Sequence, residues 1–246
     1  YDVLIDTAAL HKPNDYSDTK TARAVINYFL PWLKDHSKVP FFAVIHLMDP
    51  HSPYEPPSPW NTIWSEPGSR ETYKSYMATL SKNNIWGQHL IRKEQLAPLG
   101  ISAAEFDQTE INWYDGSILK ADFELSRLLE ALNEFELTED TLVVVTSDHG
   151  EQFFEHGGRG HGSHVYGELT NVPLILHFPG EFQAGRVPNM VSSLDIMPTI
   201  LEICGLECSK EGEGRALVPL LQGRALSERP IFSSLGEKNF GDQLRS

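Results

Sequence analysis

Cysteine is nearly absent: the 246 residues contain two. Cys204 and Cys208 lie too close together to suggest a disulfide framework, and no paired Cys/His set stands near them, so neither a disulfide-stapled scaffold nor a cysteine-rich zinc site is expected. Both read as structural residues, small and buried. Positive charge is also scarce, with 20 Lys+Arg against 34 Asp+Glu and a net charge of −14. That balance argues against nucleic acid as a partner, because phosphate binding needs a basic face. A small anionic ester stays compatible, since a local cluster of His, Arg and metal can be cationic inside an acidic protein. No apolar run approaches the ~18 residues of a transmembrane helix, and Tyr1-Asp-Val-Leu-Ile-Asp does not resemble a signal peptide. The chain opens on a strand-like segment without an initiator Met and stops at Asn239-Phe-Gly-Asp-Gln-Leu-Arg-Ser246 without a polar tail, which reads as a fragment or processed piece. What is present is core-forming material: 40% hydrophobic residues, with 12 Phe, 8 Tyr and 5 Trp, enough for one large domain or two small ones. Oligomeric state is not legible, and the charge and cysteine usage suit cytosol, periplasm or lysosome alike.

Strands and helices alternate along the chain. With Asp18 or Thr19 as N-cap, Ala22, Val25, Ile26, Phe29, Leu30 and Leu33 recur at helical spacing, and Pro31 is expected to kink or end that helix. Phe41-Phe-Ala-Val-Ile-His-Leu47 reads as a buried strand. The loop Met48–Pro59 holds five prolines, which forbid regular structure, and Trp60 to about Gly100 is expected to be irregular with short helices. A long helix is signalled from Asp107, with Glu110 giving a capping-box-like start and Ile111, Tyr114, Ile118, Ala121, Leu125, Leu128 and Leu132 as its buried stripe, ending near Phe135. Leu142-Val-Val-Val145 and Val172-Pro-Leu-Ile-Leu-His177 read as further strands. Asp195 could cap a short helix through Ile203, with Gly205 as its stop. The fold class expected is α/β, with a mostly parallel sheet sandwiched by helices on both faces.

The chemistry-bearing residues gather where strands end. Asp148 and His149 follow the run Leu142–Val145 and offer one hard oxygen and one imidazole to a single ion. In open α/β sheets the crevice beyond the carboxyl ends of the strands is where ligands bind. The next loop carries His156, His161 and His164 beside Arg159 and four glycines, so backbone can approach a ligand while His or Arg neutralises an anionic ester oxygen. The alternative is a solvated loop with chance histidines. A second group, His46, Asp49 and His51, ends the Phe41–Leu47 run. His46 reads as a core histidine sooner than a ligand, and Asp49, before Pro50, as a turn-former. His51 is the candidate for substrate contact or leaving-group protonation.

Taken together these residues resemble the sulfatases of the alkaline-phosphatase superfamily. Phe41 to Pro57 resembles the family's His-x-x-x-Pro-His-x-Pro-Tyr region, and Tyr114-Asp-Gly-Ser-Ile its Tyr-Asp-x-x-Ile helix. Thr146-Ser-Asp-His-Gly-Glu151, His161-Gly and Tyr166-Gly-Glu-Leu-Thr-Asn-Val-Pro173 resemble the metal-binding strand end and the loop beyond it. Ser193-Leu-Asp-Ile-Met-Pro-Thr-Ile-Leu201 is similar to the Asp-x-x-Pro-Thr helix, and Gly214-Arg-Ala-Leu-Val-Pro-Leu-Leu221 to the segment that follows it.

By this resemblance Asp148 and His149 bind a divalent metal, calcium by family precedent, with Mg²⁺, Mn²⁺ or Zn²⁺ as alternatives. His51 contacts the ester and assists leaving-group departure, and His161 takes the place of a cationic or hydrogen-bonding residue on the sulfate. The family's formylglycine nucleophile, made from Cys or Ser in Cys/Ser-x-Pro-Ser-Arg, and its early Asp-Asp pair have no counterpart in the 246 residues. The resemblance thus implies a partial catalytic domain over 1–230, lacking its first strand and nucleophile, and the start of a truncated C-terminal segment over 231–246, a chain expected to show no turnover by itself. The expected reaction is hydrolysis of a small-molecule or glycan sulfate ester. The Asp-His pair is shared with phosphodiester- and phosphonate-hydrolysing relatives, so a phosphoester or phosphonate hydrolase, a phosphoryl transferase and a non-catalytic anion-binding fragment stay open.

Overall fold

The computed structural model describes residues 22–85, 91–208 and 212–235. The N-cap expected at Asp18 or Thr19 and most of the segment 231–246 lie outside the described residues. In chain order the elements are α1 (Ala22–His36), α2 (Ser69–Lys82), α3 (Lys93–Leu96), α4 (Ala103–Glu134), β1 (Val143–Thr146), β2 (Gln152–Phe153), β3 (Arg159–Gly160), α5 (Gly167–Thr170), β4 (Leu174–His177), α6 (Ile196–Ile203) and α7 (Val218–Leu221). They form two units, residues 1–138 with 151–162, and residues 139–150 with 163–246. Among the described residues no helix is long and apolar enough to cross a membrane.

In the first unit α1 runs through Pro31 to His36 rather than ending there. Pro31 and Asn27, whose carbonyl loses its helical donor, are both exposed, so water can take the carbonyl. The long helix α4 starts at Ala103, four residues before Asp107, because the Ser102 hydroxyl caps it by accepting from the Glu105 amide at 3.3 Å. Its buried face agrees with the apolar stripe at Leu128 and Leu132, departs from it at Ile118, and takes in charged residues the stripe did not include. Phe106, Glu110, Trp113, Ser117, Lys120, Glu124, Leu128 and Leu132 are buried, while Ile118 is 43% exposed. Charged residues occupy that face because each meets a partner. Lys120 Nζ donates to Asp49 Oδ1 at 2.9 Å, and Asp49 Oδ2 accepts from the Ala22 amide at 2.6 Å, so Asp49 ties the first turn of α1 to α4. Glu124 takes Arg23 at 3.0 Å and Arg127 at 2.5 Å. Gly116 lets α4 approach the single turn Trp60–Thr62, where a Cβ would stand 2.5 Å from the Trp60 carbonyl oxygen.

The apolar core of this unit joins Leu80 of α2, Leu96 of α3, Ile91, Ile101, Phe106 of α4 and Phe154 of the β2–β3 hairpin. Gly100, at φ +71°, closes the corner before α4, and the Ile101 amide reaches back to the Leu96 carbonyl at 3.1 Å. The segment Phe41–Leu47, expected as a buried strand, is not one: it pairs with no strand among the described residues, and Phe42 and Val44 are 72% and 81% exposed. A ladder requires a neighbour, and a strand-like pattern cannot supply one. His46 is exposed there too, so it is not a core histidine.

In the second unit β1 and β4 pair antiparallel, with Val143 opposite His177 and Thr146 opposite Leu174. A mostly parallel sheet was expected from the alternation of elements, and this pair departs from it. Parallel strands are usually joined by a crossover helix, and between these strands the one helix is the four-residue α5. Asp195 stands at the N-cap of α6 as expected, but its side chain makes no cap hydrogen bond there: fully buried, it accepts from the Ser192 amide at 2.9 Å and the Arg215 amide at 2.8 Å and pairs with Arg229. Its own carbonyl accepts from Thr199, whose hydroxyl oxygen in turn accepts from the Leu217 amide at 2.9 Å, which ties α6 to the start of α7. Gly205, at φ +67°, ends α6 as expected. Cys204 and Cys208 are free, as expected, but Cys204 is exposed rather than buried.

Burial pushes the Glu124 carboxyl up, but hydrogen bonds from Arg127 and Arg23 outweigh it and leave the group below its ordinary value. A depressed carboxylate contributes stability that is complete above its unfolded value of about 4.3 and is lost as pH falls through the folded value. Glu124→Gln should therefore cost about 2–4 kcal/mol at pH 7, a Tm loss of about 5–10 °C by calorimetry. The gap should narrow as pH falls below about 4; a gap of the same size at every pH from 7 down to the acid limit of folding would assign the loss to packing instead of charge.

Candidate functional site

Beyond β1 the backbone turns through Ser147-Asp148-His149-Gly150, and the turn is fastened from both sides. The Ser147 hydroxyl donates to the His149 carbonyl at 2.6 Å, and the Gly150 amide donates to the Leu169 carbonyl at 2.9 Å. Only glycine fits at 150, since a Cβ would lie 2.0 Å from the Glu168 carbonyl oxygen. Asp148 Oδ1 accepts from the His149 amide at 3.0 Å, and its side chain is 80% exposed. His149 Nδ1 lies 2.8 Å from the Gly150 carbonyl, which makes that nitrogen the donor and puts the lone pair of the neutral ring on Nε2. Nε2 stands 3.7 Å from Asp148 Oδ2. Two donors at that separation fit neighbouring positions around one divalent ion with ligand distances of about 2.0–2.5 Å. The carbonyl on Nδ1 is the arrangement that fixes the tautomer of a ligating histidine.

A second cluster forms in the first unit. The proline-bound loop places the His51 ring edge to face with His161, centroids 5.5 Å apart, while His51 Nδ1 lies 2.7 Å from the Ser52 carbonyl. His161 follows β3, and its Nδ1 sits 3.1 Å from Glu151 Oε1. The other oxygen of Glu151 accepts from the Tyr54 hydroxyl at 2.6 Å. Tyr54 is buried and meets Tyr114 and Phe153 with centroids 5.5 and 5.8 Å away. Burial, then the charge of Glu151, push the Tyr54 phenol far above its ordinary range, so it acts as a fixed neutral donor. Geometry thus joins His51 to His161, both singled out from sequence, and adds Glu151 and Tyr54, which were not. Both lay inside quoted motifs, Thr146–Glu151 and the His51-x-Pro-Tyr stretch, but only folding aims them at His161.

Arg159, expected to neutralise an ester oxygen, is instead interior. It is 3% exposed, pairs with Glu110, and lies over the rings of Phe106 and Phe154 at 5.2 and 5.8 Å. Tyr73 donates to the other oxygen of Glu110. The loop that holds it is neither open nor loose. It is a hairpin, β2 against β3, closed by the Gly157 amide on the Phe154 carbonyl at 3.1 Å, with His156 exposed near its tip. His164 lies beside Tyr166 in the second unit.

Exposed carboxylate with imidazole after one strand, and imidazoles braced by a buried carboxylate in the other unit, are donor sets for an ion and for an oxyanion ester. A family model described as Sulfatase matches residues 4–206, and the chain belongs to the sulfatase family. It is 30% identical over 217 residues to an endo-4-O-sulfatase of Bacteroides thetaiotaomicron, covering 85% of this chain and 38% of that protein. It is 31% identical over 225 residues to the multifunctional alkaline phosphatase superfamily protein PehA of Trinickia caryophylli, covering 85% and 42%. Among solved structures, a phosphonate monoester hydrolase of Agrobacterium radiobacter superposes with a TM-score of 0.66 at 28% identity, covering 86% of this chain and 44% of that one. The chain spans about two fifths of the length of these curated relatives. The fold is alkaline-phosphatase-like.

Asp107, in the first turns of α4, is pushed up to about 6, first by burial, with Arg159 opposing, and its Oδ1 is buried without a hydrogen-bond partner. A raised carboxyl destabilises the fold wherever it must ionise, so the penalty is complete above about pH 6 and relieved as pH falls toward the unfolded value of about 3.9. Asp107→Asn should raise stability by about 1–2 kcal/mol at pH 8 and leave it unchanged at pH 4, as read by urea titration at the two pH values.

Proposed function

We propose that this chain supplies part of the site of a metal-dependent hydrolase of sulfate esters, with a glycan sulfate as the substrate class. Membership of the sulfatase family carries the reading, and the sugar assignment rests on the endo-4-O-sulfatase relative. Asp148 Oδ2 and His149 Nε2 would hold the ion, for which Ca²⁺ is the first choice and Mg²⁺, Mn²⁺ and Zn²⁺ are alternatives. When bound, a divalent metal offers polarisation of the ester oxygens and charge neutralisation. His51 would protonate the departing alcohol oxygen. His161 would donate to an anionic ester oxygen, its ring held by Glu151, and Glu151 held in turn by Tyr54. The formylglycine nucleophile of the family would come from outside these residues, which contain no Cys/Ser-x-Pro-Ser-Arg sequence.

The superposition on a phosphonate monoester hydrolase supports a second reading, a phosphonate or phosphoester hydrolase on the same residues. Peptide mass spectrometry of the natural full-length protein separates the two. A formylglycine upstream of Tyr1 supports the sulfatase; an unmodified Ser or Thr nucleophile, with hydrolysis of phenyl phosphonate esters exceeding that of p-nitrophenyl sulfate, overturns it. In the full-length protein Asp148→Ala should abolish metal-dependent hydrolysis while the far-UV circular dichroism stays near wild type; unchanged activity removes Asp148 from the site. Glu151→Ala should lower kcat/KM for p-nitrophenyl sulfate by about 10–100-fold, and Glu151→Gln, which keeps an acceptor, should recover part of it. Equal losses in the two variants would reduce Glu151 to a packing residue.

A further inference from the structure

The loop and helix that follow the proline-rich segment border an open cavity of about 380 Å³, inside the first unit, whose lining includes no residue of the histidine cluster. Its volume lies within the ~300–1,000 Å³ usual for small-molecule sites. Asn61, Ser65, Glu55, Arg70 and Trp113 are among the residues that line it. Two of them present buried polar atoms with no hydrogen-bond partner, the amide oxygen of Asn61 and the hydroxyl of Ser65. Buried polar atoms are nearly always paired, with protein groups or with water, so two such atoms on one cavity's lining residues leave hydrogen-bonding capacity there that a ligand's groups can take up in place of water. Arg70 and Glu55 stand 3.7 Å apart, near enough to attract and too far for a hydrogen bond, and each keeps about half its side chain exposed. The first turn of α2, beginning at Ser69 on the cavity wall, carries no side-chain cap. Amide, hydroxyl, carboxylate and guanidinium groups beside proline and tryptophan carbon suit a ligand whose every polar group both donates and accepts, which is the chemistry of a sugar ring.

The charge of the walls narrows the class. Glu55, Glu66 and Glu71 face a single Arg70, a formal excess of two negative charges. A sulfated or uronic ring would be repelled there, whereas an uncharged ring would not. The chain also links the cavity to the histidine cluster residue by residue. Glu55 adjoins Tyr54, and Trp113 adjoins Tyr114, the two tyrosines that pack edge to face beside Glu151. We propose that this cavity binds an unsulfated, uncharged sugar unit, and, resting on the glycan-sulfate reading above, that it holds a neighbouring residue of the oligosaccharide whose sulfate ester meets His51 and His161.

The test is binding to the 246-residue protein, so it does not depend on turnover. Saturation-transfer NMR and tryptophan fluorescence would be titrated with D-glucose, D-galactose, N-acetyl-D-glucosamine and N-acetyl-D-galactosamine, and with the 6-sulfate esters of the last two. At least one neutral sugar should bind with a millimolar Kd, and Asn61→Ala and the exposed Arg70→Met should each weaken it about three- to tenfold. The sulfate esters should bind about tenfold more weakly than their parents, and the triple change of Glu55, Glu66 and Glu71 to Gln should remove that discrimination. No saturable binding up to about 50 mM, equal binding of sulfated and neutral sugars, or loss on His161→Ala with none on Asn61→Ala would each overturn the proposal. The failures are separable: hydrolysis of p-nitrophenyl sulfate by the full-length protein without sugar binding sinks the cavity alone, and sugar binding without such hydrolysis sinks only the sulfatase reading and the oligosaccharide geometry built on it.

Discussion

The buried pair of Arg159 and Glu110 is the contact on which the candidate chemistry of the first unit rests. Both side chains are withdrawn from water, and a charge left alone in such a place costs about 3–5 kcal/mol. The hairpin that carries Arg159 has two residues in each strand, far too few to hold itself together. It is held by Arg159 reaching into α4 and by Phe154 entering the core. Glu151 immediately precedes this hairpin and His161 immediately follows it. Fixing the hairpin therefore fixes a carboxylate and an imidazole 3.1 Å apart, with Tyr54 securing the far side of the carboxylate.

The same device recurs along α4. Glu110, Lys120 and Glu124 lie on its buried face, each joined to a segment remote in sequence: the hairpin, the Asp49 turn and the N-terminal turns of α1. Paired charges add little net stability compared with apolar packing, but each is satisfied only by partners of opposite charge or hydrogen-bond donors in a defined geometry. In a chain with an excess of acidic residues, such contacts position loops whose own apolar content is too small to dock them. In the second unit Asp195 does the corresponding work, gathering three separate segments about a single carboxylate.

The family assignment and the geometry speak to different questions. Membership of the sulfatase family states what kind of ester chemistry to look for; the geometry shows which side chains stand together, Asp148 with His149 and His51 with His161. The cavity beside Glu55 and Trp113 adds a property that neither a motif nor a strand end encodes, since its walls come from a loop, a helix start and the middle of α4.

Sequence alone determined the local features. The helical spacing from Ala22, the long helix toward Phe135, the strands at Val143 and Leu174 and the glycine stop at 205 all follow from periods and turn chemistry acting within a few residues. Tertiary structure decided whatever depends on a distant partner. It made β1 and β4 antiparallel, left Phe42 and Val44 on the surface, buried Glu110, Lys120 and Glu124 on α4 and sent Arg159 inward while bringing Glu151 to His161. The physical reason is that a charged side chain carries no signature of its partner: a buried ion pair and a solvated surface pair have the same letters, and only the approach of a second segment from far along the chain distinguishes them.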